Sequence, residues 1–297
     1  MKYIDKVAVS GFCESKTLLC TVELNEDILN LKKIDLKVAD NKDIAIHSLL
    51  SFGDFVYLAD SFHNKVYKVN IESDEIDEAN VGRDPRHMCL SNGYLYVSNF
   101  ESDNISIIEL DNFNLMGSIP TGIKPHDIKI KDEKIYISCY EENVITEYSL
   151  SDGTKKYFYT DSKPMHLYLL YNTIISMNFH TNNDVHTKIN FIDLDSNTIS
   201  TTLNINGLSN DIDADEVNKK LYLLNIDDKS LYIIDIANRK IQSKIFIGGY
   251  PESLTIGEYF IYVTNSKKNQ ISVIDKDNLT IKNINLPFTP DCIKILS

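Results

Sequence analysis

Short apolar segments separated by polar turns run along the whole chain, and one four-residue pattern recurs among them. It starts with Tyr, continues with two apolar or small residues and ends in Asn, Asp or Cys, at residues 57–60, 96–99, 136–139, 222–225 and 262–265. A second apolar segment that ends in an acidic residue follows several copies, at 105–109, 230–235 and 271–275. Segments of this length and composition are typical of β-strands. Their recurrence at a period of about 40 residues indicates an all-β repeat architecture.

The four-residue patterns resemble the repeats of the YVTN family of β-propellers, and the resemblance covers essentially the whole chain. It implies four-stranded antiparallel blades arranged around a central axis. WD40 and kelch propellers have a similar period, but their signatures depend on tryptophan, and this chain contains none. The resemblance therefore predicts the fold, whereas the function must be argued from the residues at a site.

Seven inner strands are predicted, five of them introduced by proline. They begin near Ile46, Pro85, Pro125, Pro164, Ser209, Pro251 and Pro290. The last has no second strand after it, so we expect it to pair with residues 7–11 and to close the ring by completing the N-terminal blade. Because no linker or low-complexity run interrupts the repeat, we predict one domain, a seven-bladed propeller over residues 1–297, with six blades as the alternative.

Charge and the chain's first residues narrow the choice of partners and location. With 30 basic and 43 acidic residues the net charge is −13, which repels phosphate backbones and anionic membranes, so neither nucleic acid nor a membrane is an expected partner. The first residues lack the apolar core of a signal peptide, which predicts a cytoplasmic protein. The five cysteines contain no CxxC pair and are expected to be reduced thiols.

The most specific signal lies in the two residues that follow each inner-strand start. Family repeats ordinarily carry small or apolar residues there, whereas this chain has four of its seven histidines in the set. Repeat by repeat the pairs are His47 and Ser48, Arg86 and His87, His126 and Asp127, Met165 and His166, Asn210 and Asp211, Glu252 and Ser253, and Asp291 and Cys292. Histidines thus occupy one half of the predicted channel mouth, and carboxylates occupy the other.

Aromatic residues follow the second strands of the histidine-bearing blades. Phe100, Tyr140 and Phe179 lie in turns that emerge on the same face as the inner-strand starts. Apolar walls with a few convergent polar groups are typical of a ligand pocket. An insertion at residues 182–187 is expected to lie over the mouth as a lid or specificity loop.

Three interpretations of this ring remain open. His47, His87, His126 and His166 could hold a divalent metal ion of unspecified identity, because neutral imidazole is a common metal ligand. Alternatively His126 and His166 could act as catalytic proton-transfer groups opposite Glu252 and Asp291, since crowded carboxylates raise one another's pKa. Streptogramin B lyases resemble this picture at the level of the fold, with a histidine base and Mg²⁺ near the axis. In the third interpretation the channel is merely hydrated.

The predicted function is binding of a small-molecule or peptidic ligand at the funnel. Arg86 would meet an anionic or carbonyl group, and Phe100, Tyr140 and Phe179 would supply apolar contact. A metal-assisted or acid-base step would be of the lyase or hydrolase type, because no nucleotide, phosphate or haem motif predicts an organic cofactor. The alternative is a non-catalytic scaffold that binds a protein partner on a propeller face. Aromatic side chains buried in the funnel would favour the first function, and exposed ones the second.

Overall fold

The computed structural model of the chain describes residues 5–14, 16–25, 27–36, 44–181 and 184–296. Nearly all of its regular structure is β-strand, with two short 3₁₀ helices at Tyr140–Glu142 and Ser266–Lys268. Within the described ranges, no helix has the length and apolar content needed to cross a membrane.

Twenty-eight strands are formed by the described residues. They are β1 (Asp5–Cys13), β2 (Lys16–Asn25), β3 (Asp27–Ile34), β4 (Ile46–Phe52), β5 (Phe55–Asp60), β6 (Lys65–Asn70), β7 (Ile76–Asn80), β8 (Pro85–Ser91), β9 (Tyr94–Asn99), β10 (Asn104–Glu109), β11 (Leu115–Pro120), β12 (Pro125–Lys131), β13 (Lys134–Cys139), β14 (Val144–Ser149), β15 (Lys155–Tyr159), β16 (Lys163–Leu170), β17 (Thr173–His180), β18 (His186–Asp193), β19 (Thr198–Asn206), β20 (Ser209–Asp215), β21 (Lys220–Asn225), β22 (Ser230–Asp235), β23 (Lys240–Phe246), β24 (Pro251–Ile256), β25 (Phe260–Asn265), β26 (Gln270–Asp275), β27 (Ile281–Asn285) and β28 (Thr289–Ile295).

These strands pair into seven four-stranded antiparallel sheets, which are the blades of a propeller. Blade 1 has the order β28-β1-β2-β3 from the axis outward, and blades 2 to 7 take four consecutive strands each, from β4–β7 to β24–β27. The predicted closure is confirmed, because β28 pairs with β1 in the register Ile293↔Val9. The seven inner strands contact one another in a closed cycle. The six-bladed alternative is therefore wrong.

Apolar cores lie between neighbouring blades. The tyrosines that begin the recurring pattern are part of these cores, and Tyr57, Tyr222 and Tyr262 are almost completely buried. Tyr222 of blade 6, for example, packs in one cluster with Leu254 and Ile261 of blade 7. Because each blade buries apolar surface only against its neighbours, the closed ring is what completes the core.

The last residue of the pattern fixes the loops on one face of the ring. Asn225 accepts hydrogen bonds from the backbone N–H groups of Asp227 and Asp228 in the turn that follows. Asn265 accepts one from Tyr250, in the loop that leads into the inner strand of its own blade. In that loop Gly249 has a φ of +68°, and a Cβ there would lie 2.2 Å from the Asn265 Oδ1 atom, so only glycine fits.

Candidate metal and ligand site in the axial cavity

A β-bulge interrupts the pairing of every inner strand with its neighbour, at the positions where the sequence predicted the site. The register shifts between Pro85 and Met88 in blade 3 and between Pro125 and Ile128 in blade 4, and the other blades show the equivalent shift. A bulge bends the strand and redirects its side chains. Two consecutive residues, which would face opposite sides of a regular strand, can therefore both contribute to the ring.

Hydrogen bonds join the bulge of one blade to the bulge of the next. At six joints, a side chain of the preceding blade donates to the backbone carbonyl of the first residue after the inner-strand start, over 2.5 to 3.4 Å. The donors are Cys292, Ser48, Ser98, Ser138, Asn210 and Thr264, and the acceptors are the carbonyls of His47, Arg86, His126, Met165, Glu252 and Asp291 in that order. Three of these donors come from the third position of the recurring pattern, so the scaffold repeat also positions the site.

The four predicted histidines meet at the axis. The ring centroids of His87 and His126 are 5.0 Å apart, and those of His87 and His166 are 4.8 Å apart. One ligand atom from each of His47, His87 and His126 lies within 4.8 Å of the other two. Ligand nitrogens around tetrahedral zinc are about 3.4 Å apart, so metal binding would draw these rings inward by a small distance.

The environment keeps these imidazoles neutral. Burial, followed by the positive charge of neighbouring groups, lowers the pKa of His47, His87 and His126 well below the usual value. The His87 Nε2 and His126 Nδ1 atoms are buried and have no hydrogen-bond partner among the described residues. Neutral imidazoles with unpartnered nitrogens are suited to metal binding, since no proton must leave first.

Asp127 supports this cluster from the inner strand of blade 4. Its carboxylate is buried, accepts the backbone N–H of Leu167 at 2.9 Å and forms an ion pair with Lys129 at 2.7 Å. The Nδ1 atoms of His87 and His166 lie 4.0 Å and 3.8 Å from its oxygens. Burial raises the pKa of Asp127, but the charges of Lys129 and His166 outweigh it and lower the pKa overall. Asp127 is therefore an ionised group beside two imidazoles.

Arg86 is already engaged by other protein groups. Its guanidinium donates to Asp84 at 2.6 Å and contacts the His47 Nδ1 atom at 3.1 Å, with its carbon 4.8 Å from the centre of the Phe100 ring. Phe100 in turn packs against Tyr140 at 5.9 Å. A guanidinium nitrogen can only donate, so the His47 Nδ1 atom is the acceptor in this contact, and His47 would bind a metal either by exchanging Arg86 for it or through Nε2 after a change of tautomer. Asp84 offsets the charge that Arg86 brings near the histidines.

The opposite wall is built from carboxylates. Glu252 accepts a hydrogen bond from the Ser266 hydroxyl at 2.6 Å, and burial raises its pKa. Burial and the charge of Glu252 together raise the pKa of Asp291 to about 7. Asp211 accepts from the Ser253 hydroxyl and the Leu254 backbone, both at 2.8 Å. The pKa values of all three acids are raised, and Glu252 and Asp291 also have few hydrogen-bond partners.

The two walls enclose a cavity of about 480 Å³ on the axis. It is lined by all four histidines, by Glu252, Asp291 and Asp211, and by Phe179. Arg86, Phe100 and Tyr140 do not line it but form the neighbouring cluster around His47 and His126. Lys129 and Asp213 also line the cavity but were not predicted from the sequence. Their spacing could have indicated it, because residues two apart on a strand share a face, and they lie two positions after Asp127 and Asp211 respectively.

Two other predicted features lie near the cavity. Burial raises the pKa of Cys292 well above its usual value, which makes it a packed thiol rather than a nucleophile. In the predicted insertion, Asn182 and Asn183 lie outside the described residues. The described flank places His180 opposite His186 across the β17–β18 pair, with ring centroids 4.5 Å apart.

Comparisons with known proteins support the fold and no more. No protein-family model matches the chain, and no curated protein matches it. A candidate 6-phosphogluconolactonase from Bacteroides fragilis superposes with a TM-score of 0.76 at 14% identity, over 99% of this chain and 98% of that one. Apo AztD from Citrobacter koseri gives 0.69 at 13% identity, over 99% and 98%. The dihydro-heme d1 dehydrogenase NirN in complex with DHE gives 0.65 at 14% identity, over 94% and 63%. At these identities the similarity shows a shared propeller fold alone.

Proposed function

We propose that this chain binds a small or medium-sized organic or peptidic molecule in the axial cavity, beside a divalent metal ion held by His47, His87 and His126. The observation that carries the proposal is the convergence of these imidazoles, two of which present buried unpartnered nitrogens, on one wall of a 480 Å³ cavity. Membership of the YVTN family stays a prediction from the recurring pattern.

The residues divide by role according to their surroundings. His47, His87 and His126 would hold the metal, which when bound would supply a Lewis acid for a carbonyl oxygen or a water molecule. His166 lines the cavity with its Nδ1 atom 3.8 Å from the Asp127 carboxylate and is the proposed proton-transfer group of that wall. Phe179 supplies apolar contact inside the cavity, whereas Arg86, Phe100 and Tyr140 position His47 and His126 from behind.

Glu252 and Asp291 face this wall from the other side of the cavity. A carboxyl group whose pKa is about 7 can both accept and donate a proton near neutrality. An electrophilic metal on one side and a proton-transfer group on the other support a lyase or hydrolase step. No further cofactor is part of this proposal.

Metal analysis tests the proposal directly. Protein purified without chelator and dialysed against ZnCl₂ is expected to retain about one zinc per chain, and the variant H47A/H87A/H126A is expected to retain none. The variant H180A/H186A is the matched control, because it removes two histidines from the same face but outside the cavity. Equal zinc content in the triple variant and the wild type, with both folded by circular dichroism, would refute the metal site.

A protein-binding scaffold is the second candidate, and one observation favours it. Phe62, in the turn between β5 and β6, and Phe246, at the end of β23, are 71% and 69% exposed. Exposed aromatic side chains of this kind are enriched where proteins associate. If this second function is correct, the variant F62A/F246A is expected to lose binding of a protein partner while its zinc content stays that of the wild type.

A further inference from the structure

The carboxylates of Glu252 and Asp291, unlike that of Asp127, have no cationic partner among the described residues. Among the described residues, no hydrogen bond or ion pair reaches the Asp291 carboxylate, and the only donor to Glu252 is the Ser266 hydroxyl. Lys294 lies three residues further along β28 but forms no ion pair with either acid in the described part of the chain. A pair of acids in a half-buried position is costly unless a cation neutralises it.

The opposite wall shows that the cavity is built to hold a ligand. His126 is only 3% exposed, lines the same cavity as Glu252 and Asp291, and has a buried Nδ1 atom with no partner among the described residues. A buried polar atom without a partner normally indicates a missing group. One wall of the cavity therefore offers unpartnered imidazole nitrogens, and the other offers two carboxylates that a positive charge would stabilise.

We infer that the ligand carries a protonated primary amine, as in an amino acid or the amino terminus of a short peptide, bound between Glu252 and Asp291. An ammonium group offers three N–H donors, which suit two carboxylates that have three or more free acceptor positions. The carboxylate or carbonyl end of such a ligand faces the histidine wall, where it would meet the metal. This inference rests on the proposed function, because it assigns the chemical class of the ligand in the same cavity.

Electrostatic complementarity favours this orientation over the reverse. Lys129 and Arg86 lie on the histidine side of the axis, whereas Asp211 adds a third acid to the side of Glu252 and Asp291. An anionic group at the acid wall would face three carboxylates, and an ammonium group at the histidine wall would displace the metal. A ligand with separated charges fits in one direction only.

Binding of matched probe pairs tests the inference. Zinc-loaded protein is titrated calorimetrically with each of the twenty amino acids and with the dipeptides of alanine and phenylalanine, and each probe is compared with its N-acetyl derivative. We expect at least one free amine to bind tenfold or more tightly than its acetylated counterpart, because acetylation removes a charged hydrogen-bond donor. The variant E252Q/D291N is expected to lose that preference, while E101Q, which removes an exposed acid from the same face, keeps it.

Each other outcome counts against the inference. If no free amine binds more tightly than its acetylated form, or if the preference survives in E252Q/D291N, the acid pair does not bind an amine. Calcium binding that requires both acids, without any amine preference, would make the pair a cation site instead. If acetylated and free probes bind equally and their binding depends on His47, His87 and His126, the proposed function stands and only this inference fails. If the wild-type protein binds neither zinc nor any probe, the proposed function and this inference both fail.

Discussion

The inner strands of blades 4 and 6 place an aspartate at the same position but give it different surroundings. Asp127 and Asp211 each accept the backbone N–H of an apolar residue in the next blade, Leu167 and Leu254 respectively. Two positions further along the strand, blade 4 has Lys129, whereas blade 6 has an aspartate. The same backbone geometry therefore carries an ion pair on the histidine wall and an unneutralised acid on the carboxylate wall.

The pKa values of the two aspartates move in opposite directions as a result. Burial raises the pKa of both carboxyl groups, but in Asp127 the charge of Lys129 reverses the shift and lowers it. In Asp211 burial outweighs the hydrogen bonds from Leu254 and Ser253, and the pKa stays raised. One nearby side chain, rather than the fold, decides in which direction the pKa of a ring carboxyl group shifts.

Amide substitutions at these two positions should separate the ion pair from the backbone hydrogen bond. Asp127→Asn is expected to lower the free energy of unfolding by about 3 kcal/mol, because it leaves Lys129 without its partner near the axis. Asp211→Asn should stay within about 1 kcal/mol of wild type, since it removes a charge that burial already disfavours. Urea denaturation at pH 7 measures both; equal losses would mean that the Lys129 pair contributes nothing.

Asp291 offers a test that depends on pH. Its folded-state pKa of about 7 lies above the usual 3.8, so its stabilising contribution is complete below about pH 4 and is lost as the pH rises through 7. Asp291→Asn cannot ionise and should therefore be more stable than wild type at pH 8, by about 2 kcal/mol, with no such gain at pH 4. Thermal denaturation across this range measures the difference. A gain that is the same at both pH values would show that Asp291 does not titrate in this range.

Removing one hydroxyl group from the hydrogen-bonded joints between blades should have the smallest effect on the free energy of unfolding. Ser138→Ala removes a buried group that donates to the Met165 carbonyl and accepts the Asp127 N–H, and we expect a loss of about 1 kcal/mol. Ser151→Ala is the control, because Ser151 is exposed on the same blade. Both variants can be compared by urea denaturation. A loss of stability no larger than that of the control would mean that water takes over the hydrogen bonds of the Ser138 hydroxyl.

Much of the fold could be predicted from the sequence because it depends on spacing alone. The starts of the inner strands at Pro85 and Pro125, the closure through the strand that begins near Pro290 and the number of blades all follow from the period of the repeat. The convergence of His47, His87, His126 and His166 follows as well, since the residues just after the inner-strand starts of neighbouring blades all lie close to the axis.

The partners of the site residues could not be predicted in the same way. In six of the seven blades both residues after the inner-strand start line the cavity, but in blade 3 His87 does and Arg86 does not, and nothing in the order of these two residues reveals it. Arg86 was expected to meet a ligand, yet Asp84, two residues earlier, already binds its guanidinium. Phe100 and Tyr140 were expected in the pocket with Phe179, but Phe100 packs against His126 and Arg86, Tyr140 packs against Phe100, and neither lines the cavity.

The joints between blades use the backbone carbonyl as the acceptor at every occurrence, while the donor is a serine, threonine, asparagine or cysteine. A carbonyl is present whatever the side chain, so His126 and Asp291 can hold the same joint with entirely different chemistry. Substitution of a ring side chain that is not itself one of these donors therefore leaves the joints between the blades in place. In evolutionary terms, ligand specificity depends on the ring side chains, whereas closure of the propeller depends on backbone carbonyl groups. A new specificity can therefore arise one blade at a time.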